Sequence, residues 1–126
     1  MGHTTGFLTK SLTATGAILA RRLVSYGAAD GTGVQANGSA EPIVGVSADI
    51  DTDVNQRASV HMVGNIAEVT YGGNVRRGRP LTADAQGRAI EATTTGQFCV
   101  GLAEVSGVLG DIGTATVAPF TFSAAA

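Results

Sequence analysis

The residues able to carry chemistry are few, and each needs neighbours that the sequence supplies only in part. Gly31-Thr-Gly33-Val-Gln-Ala36 has the spacing of a dinucleotide-binding turn, in which backbone amides and a following helix N-terminus meet a pyrophosphate. Asn37, Gly38, Ser39 and Pro42 come next, so no helix can start there and a glycine-rich hairpin is expected. Asp49, Asp51 and Asp53 open like a calcium loop, but the sixth and twelfth positions, which call for Gly and a bidentate Glu, hold Val54 and Val60. They read as a solvated acidic loop. His3 and His61 are the two histidines. Neither has the partners of a zinc site or stands beside a nucleophile. Cys99, between Phe98 and Val100, reads as a small buried hydrophobe and not as a thiolate. No catalytic, cofactor-binding or metal-ligating residue is expected, and no enzyme. Arg76, Arg77 and Arg79, with Arg21 and Arg22, supply five of the eight positive charges. They form either a solvated turn or a docking patch for an acidic protein surface, which the planar guanidinium fork suits. Asn37-Gly-Ser39 fits a glycosylation sequon, which matters only on a secretory route.

The composition narrows the classes further. The 126 residues are enough for one domain. Ala, Gly, Thr and Val, at 20, 18, 15 and 13 residues, make up just over half the chain, which predicts a light core of small side chains. A net charge of −2 argues against a nucleic-acid partner, which requires a basic face to displace counterions. The longest apolar run is Ala17–Ala20, far short of the roughly 20 residues of a membrane span. Nor does the N-terminus carry a charged-then-apolar export pattern. One cysteine leaves no internal disulfide, so packing, sheet pairing or partner subunits must hold the fold.

Glycines break the chain into short stretches rich in Val, Ile and Thr, the composition of strands joined by turns. Residues 57–63 alternate, and after Gly64-Asn65 residues 66–71 read as the returning strand of a hairpin. Residues 114–118 alternate again before Pro119. Residues 17–26 fit either a helix between Thr15 and Gly27 or a strand by periodicity, and an internal duplication favours the strand. At an offset of 56, residues 30–46 lie over 86–102, with Gly31/Gly87, Ala36/Ala92, Val44/Val100 and Gly45/Gly101 identical. With one inserted residue, Arg22–Ser25 falls over Arg79–Thr82, whose Pro80 cannot sit inside a helix. The expected fold is all-β: a small barrel or sandwich of about eight to ten short strands, built from two similar halves. It spans residues 17–120, after an extended N-terminal arm (1–16) and before a C-terminal tail (121–126). Phe7, Leu8, Lys10 and Leu12 in the arm, and Arg76, Arg77 and Arg79, are the candidate contacts to a partner or sister subunit.

The segments "ARRLVSYGAADGTGVQAN…EPIVGVSA", "VHMVGNIAEVTYGGNVRRGRPLTADAQGRAIEA" and "FCVGLAEVSGVLGDIGTATVAPF" resemble those of tailed-bacteriophage capsid cement, or head decoration, proteins. The resemblance covers about residues 17–120, and its most distinctive piece runs from Gly72 to Ala89. It implies a virion protein, synthesised in the host cytoplasm, that adds to the outer surface of the expanded capsid. There it would clamp the major capsid protein lattice, as a homotrimer at local three-fold axes, with an arm that orders on the shell. No cofactor, nucleic acid or membrane is implied. An arm of that kind leads to the expectation that deleting residues 2–16 weakens capsid binding and leaves the melting of the fold unchanged. The alternative is another virion surface module, a fibre base or a glycan-binding domain. Sugar platforms rely on aromatic rings, and Tyr26, Tyr71 and four Phe are few for that purpose.

Overall fold

Short runs that alternate Thr or Ser with small apolar residues can bury only one face, and closing a sheet on itself buries that face without leaving edges. The computed structural model describes residues 9–124, and among them lie twelve strands and no helix. In the first half, β1 (Thr9–Ala14), β2 (Leu23–Tyr26), β3 (Thr32–Gln35), β4 (Gly45–Ser47) and β5 (Arg57–His61) form a closed barrel in the order β1-β3-β2-β4-β5. β1 runs antiparallel to β5, from Thr9↔His61 to Thr13↔Arg57, and parallel to β3 on its other side. The second half holds β6 (Ile66–Thr70), β7 (Pro80–Ala83), β8 (Ala89–Glu91), β9 (Phe98–Cys99), β10 (Gly101–Leu102), β11 (Ile112–Thr116) and β12 (Phe120–Thr121).

The second half repeats the pairings of the first. β11 pairs antiparallel with β6 as β5 does with β1, and β7 pairs antiparallel with both β8 and β10 as β2 does with β3 and β4. The two remaining links thin to single bridges, Tyr71↔Ala89 (parallel) and Ala103↔Ala115 (antiparallel). They stand where β1 pairs β3 and β4 pairs β5. Even the isolated bridge Ile18↔Thr52 recurs as Val75↔Gly107. Gly31 and Gly87 both sit at φ +74 in the β2–β3 and β7–β8 turns, a left-handed position that glycine occupies without penalty. The duplication read in the sequence is therefore a duplication of a barrel.

The cores follow suit. Leu12, Ala14, Ile18, Val24, Ala58 and Val60 fill the first barrel, and their counterparts Val69, Tyr71, Val75, Leu81, Ala115 and Val117 lie in the second cluster. Ala14 is replaced by Tyr71, which needs more room. The ring takes the space that a Cβ on Gly107 or Gly113 would occupy, and its hydroxyl donates to the Val105 carbonyl at 2.7 Å. A buried tyrosine with its hydroxyl satisfied keeps its full apolar contribution. Leu23, Ala36, Ile43 and Val46, although in the first half, are buried with the second cluster and form the seam between the halves.

Three sequence readings change. The N-terminal segment does not stand apart up to residue 16: Thr9–Ala14 is a wall of the barrel, and Leu12 and Ala14 are core. Nor do residues 57–71 form a hairpin. β5 pairs with β1 and β4, and β6 pairs with β11, because Gly64-Asn65 leads from the closed barrel into the second half. Of residues 17–26 only Leu23–Tyr26 is strand, since Arg21 turns the chain at φ 58. At the other end, residues 120–124 pack on the body. Phe120–Thr121 pairs with Phe98–Cys99, and Ala124 N–H donates to Thr95 Oγ1 at 2.9 Å. Three two-residue strands, β9, β10 and β12, account for there being more than ten.

Candidate interaction surface

A catalytic site needs polar groups that converge without being satisfied by one another, and in the groove between the halves most polar side chains are paired with their neighbours. The groove between the halves, about 340 Å³, is lined by Arg21, Ser47, Asp49, His61, Ile66 and Glu68 among others. Arg21 Nε pairs with Glu68 at 3.1 Å. Asn65 Nδ2 meets His61 Nδ1 at 3.0 Å. Ser47 Oγ donates to the Leu19 carbonyl and accepts from Arg22 N–H. A second concavity, about 240 Å³, is apolar, with Pro42, Ile43, Phe98, Pro119 and Phe120 in its walls.

The other motifs are structural where the structure describes them. Gly31–Ala36 is the β2–β3 hairpin with no helix after it. In the acidic loop, Asp51 Oδ1 accepts from Ala20 N–H at 2.8 Å. Among the described residues no three His, Cys, Asp or Glu side chains gather as metal ligands would; His3 lies outside them. Cys99 is buried, and desolvation pushes its thiol up to about 11. Its alkylation by iodoacetamide at pH 8 should therefore be slower than that of the denatured chain by a hundredfold or more. Labelling at the denatured rate would place the thiol at the surface. Because the unfolded thiol ionises near its ordinary value of 9.0 and the folded one near 11, its contribution to stability is complete below pH 9. That contribution is lost as the pH rises from there through 11.

The candidate contact residues divide sharply. Phe7 and Leu8 lie outside the described residues. Lys10 is exposed on the barrel wall. Leu12 is 1% exposed, so it holds the core and is withdrawn as a contact. Arg76 clasps Glu91: Nε and Nη2 donate to its two carboxylate oxygens at 3.1 and 3.0 Å, and the Arg76 backbone N–H adds a bond at 2.7 Å. The Arg76 side-chain hydrogen bond holds the Glu91 carboxyl below its ordinary value, against a partial desolvation that works the other way. Arg79 Nε lies 3.8 Å from the same carboxylate. Arg77 is exposed, and its backbone N–H donates to Ser106 Oγ at 3.0 Å. Arg76 and Arg79 thus share the Glu91 carboxylate, while the Arg77 side chain is exposed.

One feature has no signature in a single pass along the sequence. The loops after β4 and β10 occupy equivalent places in the two barrels, and each projects exposed aliphatics: Ile50 and Val54 from the first, Val105, Val108 and Leu109 from the second. Exposed aliphatics thus recur at equivalent places on both halves.

A family model described as phage cement protein matches residues 3–117. The fold is similar to that of the head fiber gp8.5 N base in bacteriophage phi29, with a TM-score of 0.66 and 21% sequence identity over 87% of this chain and 92% of that one. No curated protein matches the sequence.

Proposed function

The chain belongs to the phage cement protein family, a family of structural virion proteins, and from that membership we propose that it binds the outer surface of the assembled, expanded capsid. There it cements the major capsid protein lattice as a homotrimer at local three-fold axes. The family match over nearly the whole chain carries this reading. Its physical support is a pair of similar β halves with aliphatics displayed at matching positions on both. Such a body binds by shape and avidity: once one copy of a trimer touches the shell, the others follow at high effective concentration. Phe7 and Leu8, preceding β1, Lys10 and the exposed loop aliphatics are the proposed shell contacts.

Co-sedimentation tests the reading. The chain should pellet with expanded shells and stay in solution with unexpanded shells or free capsid subunits. Equal binding to free subunits would contradict a lattice-specific clamp. Deleting residues 2–8, which leaves β1 whole, should weaken shell binding about tenfold or more while the melting temperature stays within about 2 °C. Undiminished binding would remove Phe7 and Leu8 from the mechanism. A second reading, a base that carries a fibre, is favoured by the fold likeness to a head fiber base. It would show itself as a second virion protein retained on the shell in fixed ratio with this one.

A further inference from the structure

The two halves diverge in chemistry at the end of β2 and of its counterpart β7. In the second half this place is sealed from within. Thr82 Oγ1 donates to the Phe98 carbonyl at 2.6 Å, and Gln97 Oε1 accepts from the Thr93 and Thr94 amides at 2.7 and 2.9 Å. Ala83, the last residue of β7, is 3% exposed and belongs to the core. The matching registers Ser25↔Val34 and Thr82↔Ile90 put Ser25 and Tyr26 where the second half has Thr82 and Ala83. The offset of 56 puts Glu41 and Pro42 at the places of Gln97 and Phe98.

None of those seals is made in the first half. Ser25 is buried, and its Oγ is shielded from solvent without a hydrogen-bond partner. Such a group costs stability, and Thr82 shows that this fold can satisfy one at the same position. Glu41 is exposed and, among the described residues, has no hydrogen bond or ion pair. Tyr26 is 56% exposed where Ala83 is core. The result is a concavity of about 270 Å³ with Thr15, Ser25, Tyr26, Gln35, Asn37 and Glu41 in its walls. A second concavity, about 420 Å³, shares Tyr26, Gly27 and Ala28 and adds Ala29, Asp30 and Gly31.

We propose that the concavity beside Tyr26 is a subsite for a neutral sugar. An exposed tyrosine ring offers an apolar face with a polar tip. A pyranose matches it, with C–H groups on its faces and hydroxyls around its rim. The Asn37 amide both donates and accepts, while the Glu41 carboxylate only accepts; between them they can hold neighbouring hydroxyls, each of which does both. Few polar groups around an apolar platform is the usual make-up of a small-ligand site. No Lys, Arg or His stands in either concavity, so a phosphate or an acidic sugar finds no cation there, and Asp30 and Glu41 repel it. Tyr71 is in the core, so Tyr26 acts as a single platform and the contact is weak on its own. Repetition of the chain over a shell, on the cementing reading, multiplies it; the subsite itself does not depend on that reading.

An array probed with the free, full-length chain tests the subsite. It carries oligomers of glucose, galactose, mannose and N-acetylglucosamine, the same glycans ended in sialic acid, and choline as a small cation. The chain should be retained by at least one neutral class and by neither the sialylated glycans nor choline. For the retained sugar, NMR titration should show Tyr26→Ala weakening binding about tenfold or more and Tyr26→Phe staying within about threefold of the unaltered chain. Glu41→Ala should weaken it about tenfold, and all three variants should melt as the unaltered chain does. Retention by no neutral oligosaccharide, or binding that Tyr26→Ala leaves unchanged, would overturn the subsite. Preference for choline or for sialylated glycans would overturn it as well. Shells are absent from the experiment, so its failure leaves the cementing reading standing.

Discussion

A chain lacking Thr9–Ala14 is expected to lose cooperative melting altogether. β1 is hydrogen-bonded on both sides, to β5 over five residue pairs and to β3 at Thr13 and Ala14, so its removal opens a closed barrel along two edges at once. It also strips Leu12 and Ala14 from a core cluster whose other buried members, among the described residues, are Ile18, Val24, Ala58 and Val60. Truncating a single buried leucine costs about 2–5 kcal/mol, against a typical domain stability of about 5–15 kcal/mol. The loss of the whole strand adds the unpaired amides and carbonyls of β3 and β5. Circular dichroism on heating would show a broad, non-sigmoidal change for this deletion and a sharp transition for the deletion of residues 2–8. An unchanged transition after removing Thr9–Ala14 would mean that the strand is dispensable.

Gly45→Val and Gly101→Val should each destabilise the fold by about 3 kcal/mol or more, the upper end of what overpacking costs. A Cβ on Gly45 would run into the His61 carbonyl and come within 2.9 Å of Val60 Cγ1; one on Gly101 would run into the Thr116 carbonyl. Those obstacles lie mainly in the backbone of β5 and β11, which cannot turn aside as a side chain can. The two glycines are equivalent positions in the two barrels, and each lets a short strand pass close to the long strand that closes its barrel. Gly16→Ala is the control: nothing lies within 4 Å of its Cβ position, and the change should fall within about 0.5 kcal/mol of neutral. Urea midpoints measure all three. A midpoint for either valine variant close to that of the Gly16 control would show that the barrels are looser than described.

Those glycines also show what could be read in advance. Gly31/Gly87 and Gly45/Gly101 stood out in the sequence because they align, and each pair has one structural reason that operates twice: a left-handed turn in the first case, a close strand passage in the second. The all-β class followed from the same spacing of glycines and β-branched residues. Partners of strands were harder. Residues 57–61 and 66–70 alternate as strands should, but alternation says which face is buried and not which strand lies alongside. Closure of each barrel on itself sends β5 to β1 and β6 to β11, far away in sequence. The arm reading of residues 9–14 failed for a related reason. A narrow barrel needs only Leu12 and Ala14 to point inward from β1, and a strand with two small inward positions leaves a Thr-rich sequence that looks unanchored. The turn at Arg21 was signalled only through its partner, Gly78, which shares its positive φ. The faces that meet between the halves became visible only once the two halves were placed side by side.

Clamping the shell is the central claim, and the heat stability of expanded shells measures it. Anything that binds the assembled lattice and not its free subunits stabilises the lattice by mass action, by about 2.7 kcal/mol per site at a hundredfold excess over the dissociation constant. Expanded shells saturated with the chain should therefore come apart at a higher temperature than bare shells, and the increment should rise with the free concentration of the chain. Shells that carry the chain at full occupancy and still come apart at the temperature of bare shells would contradict a cementing role.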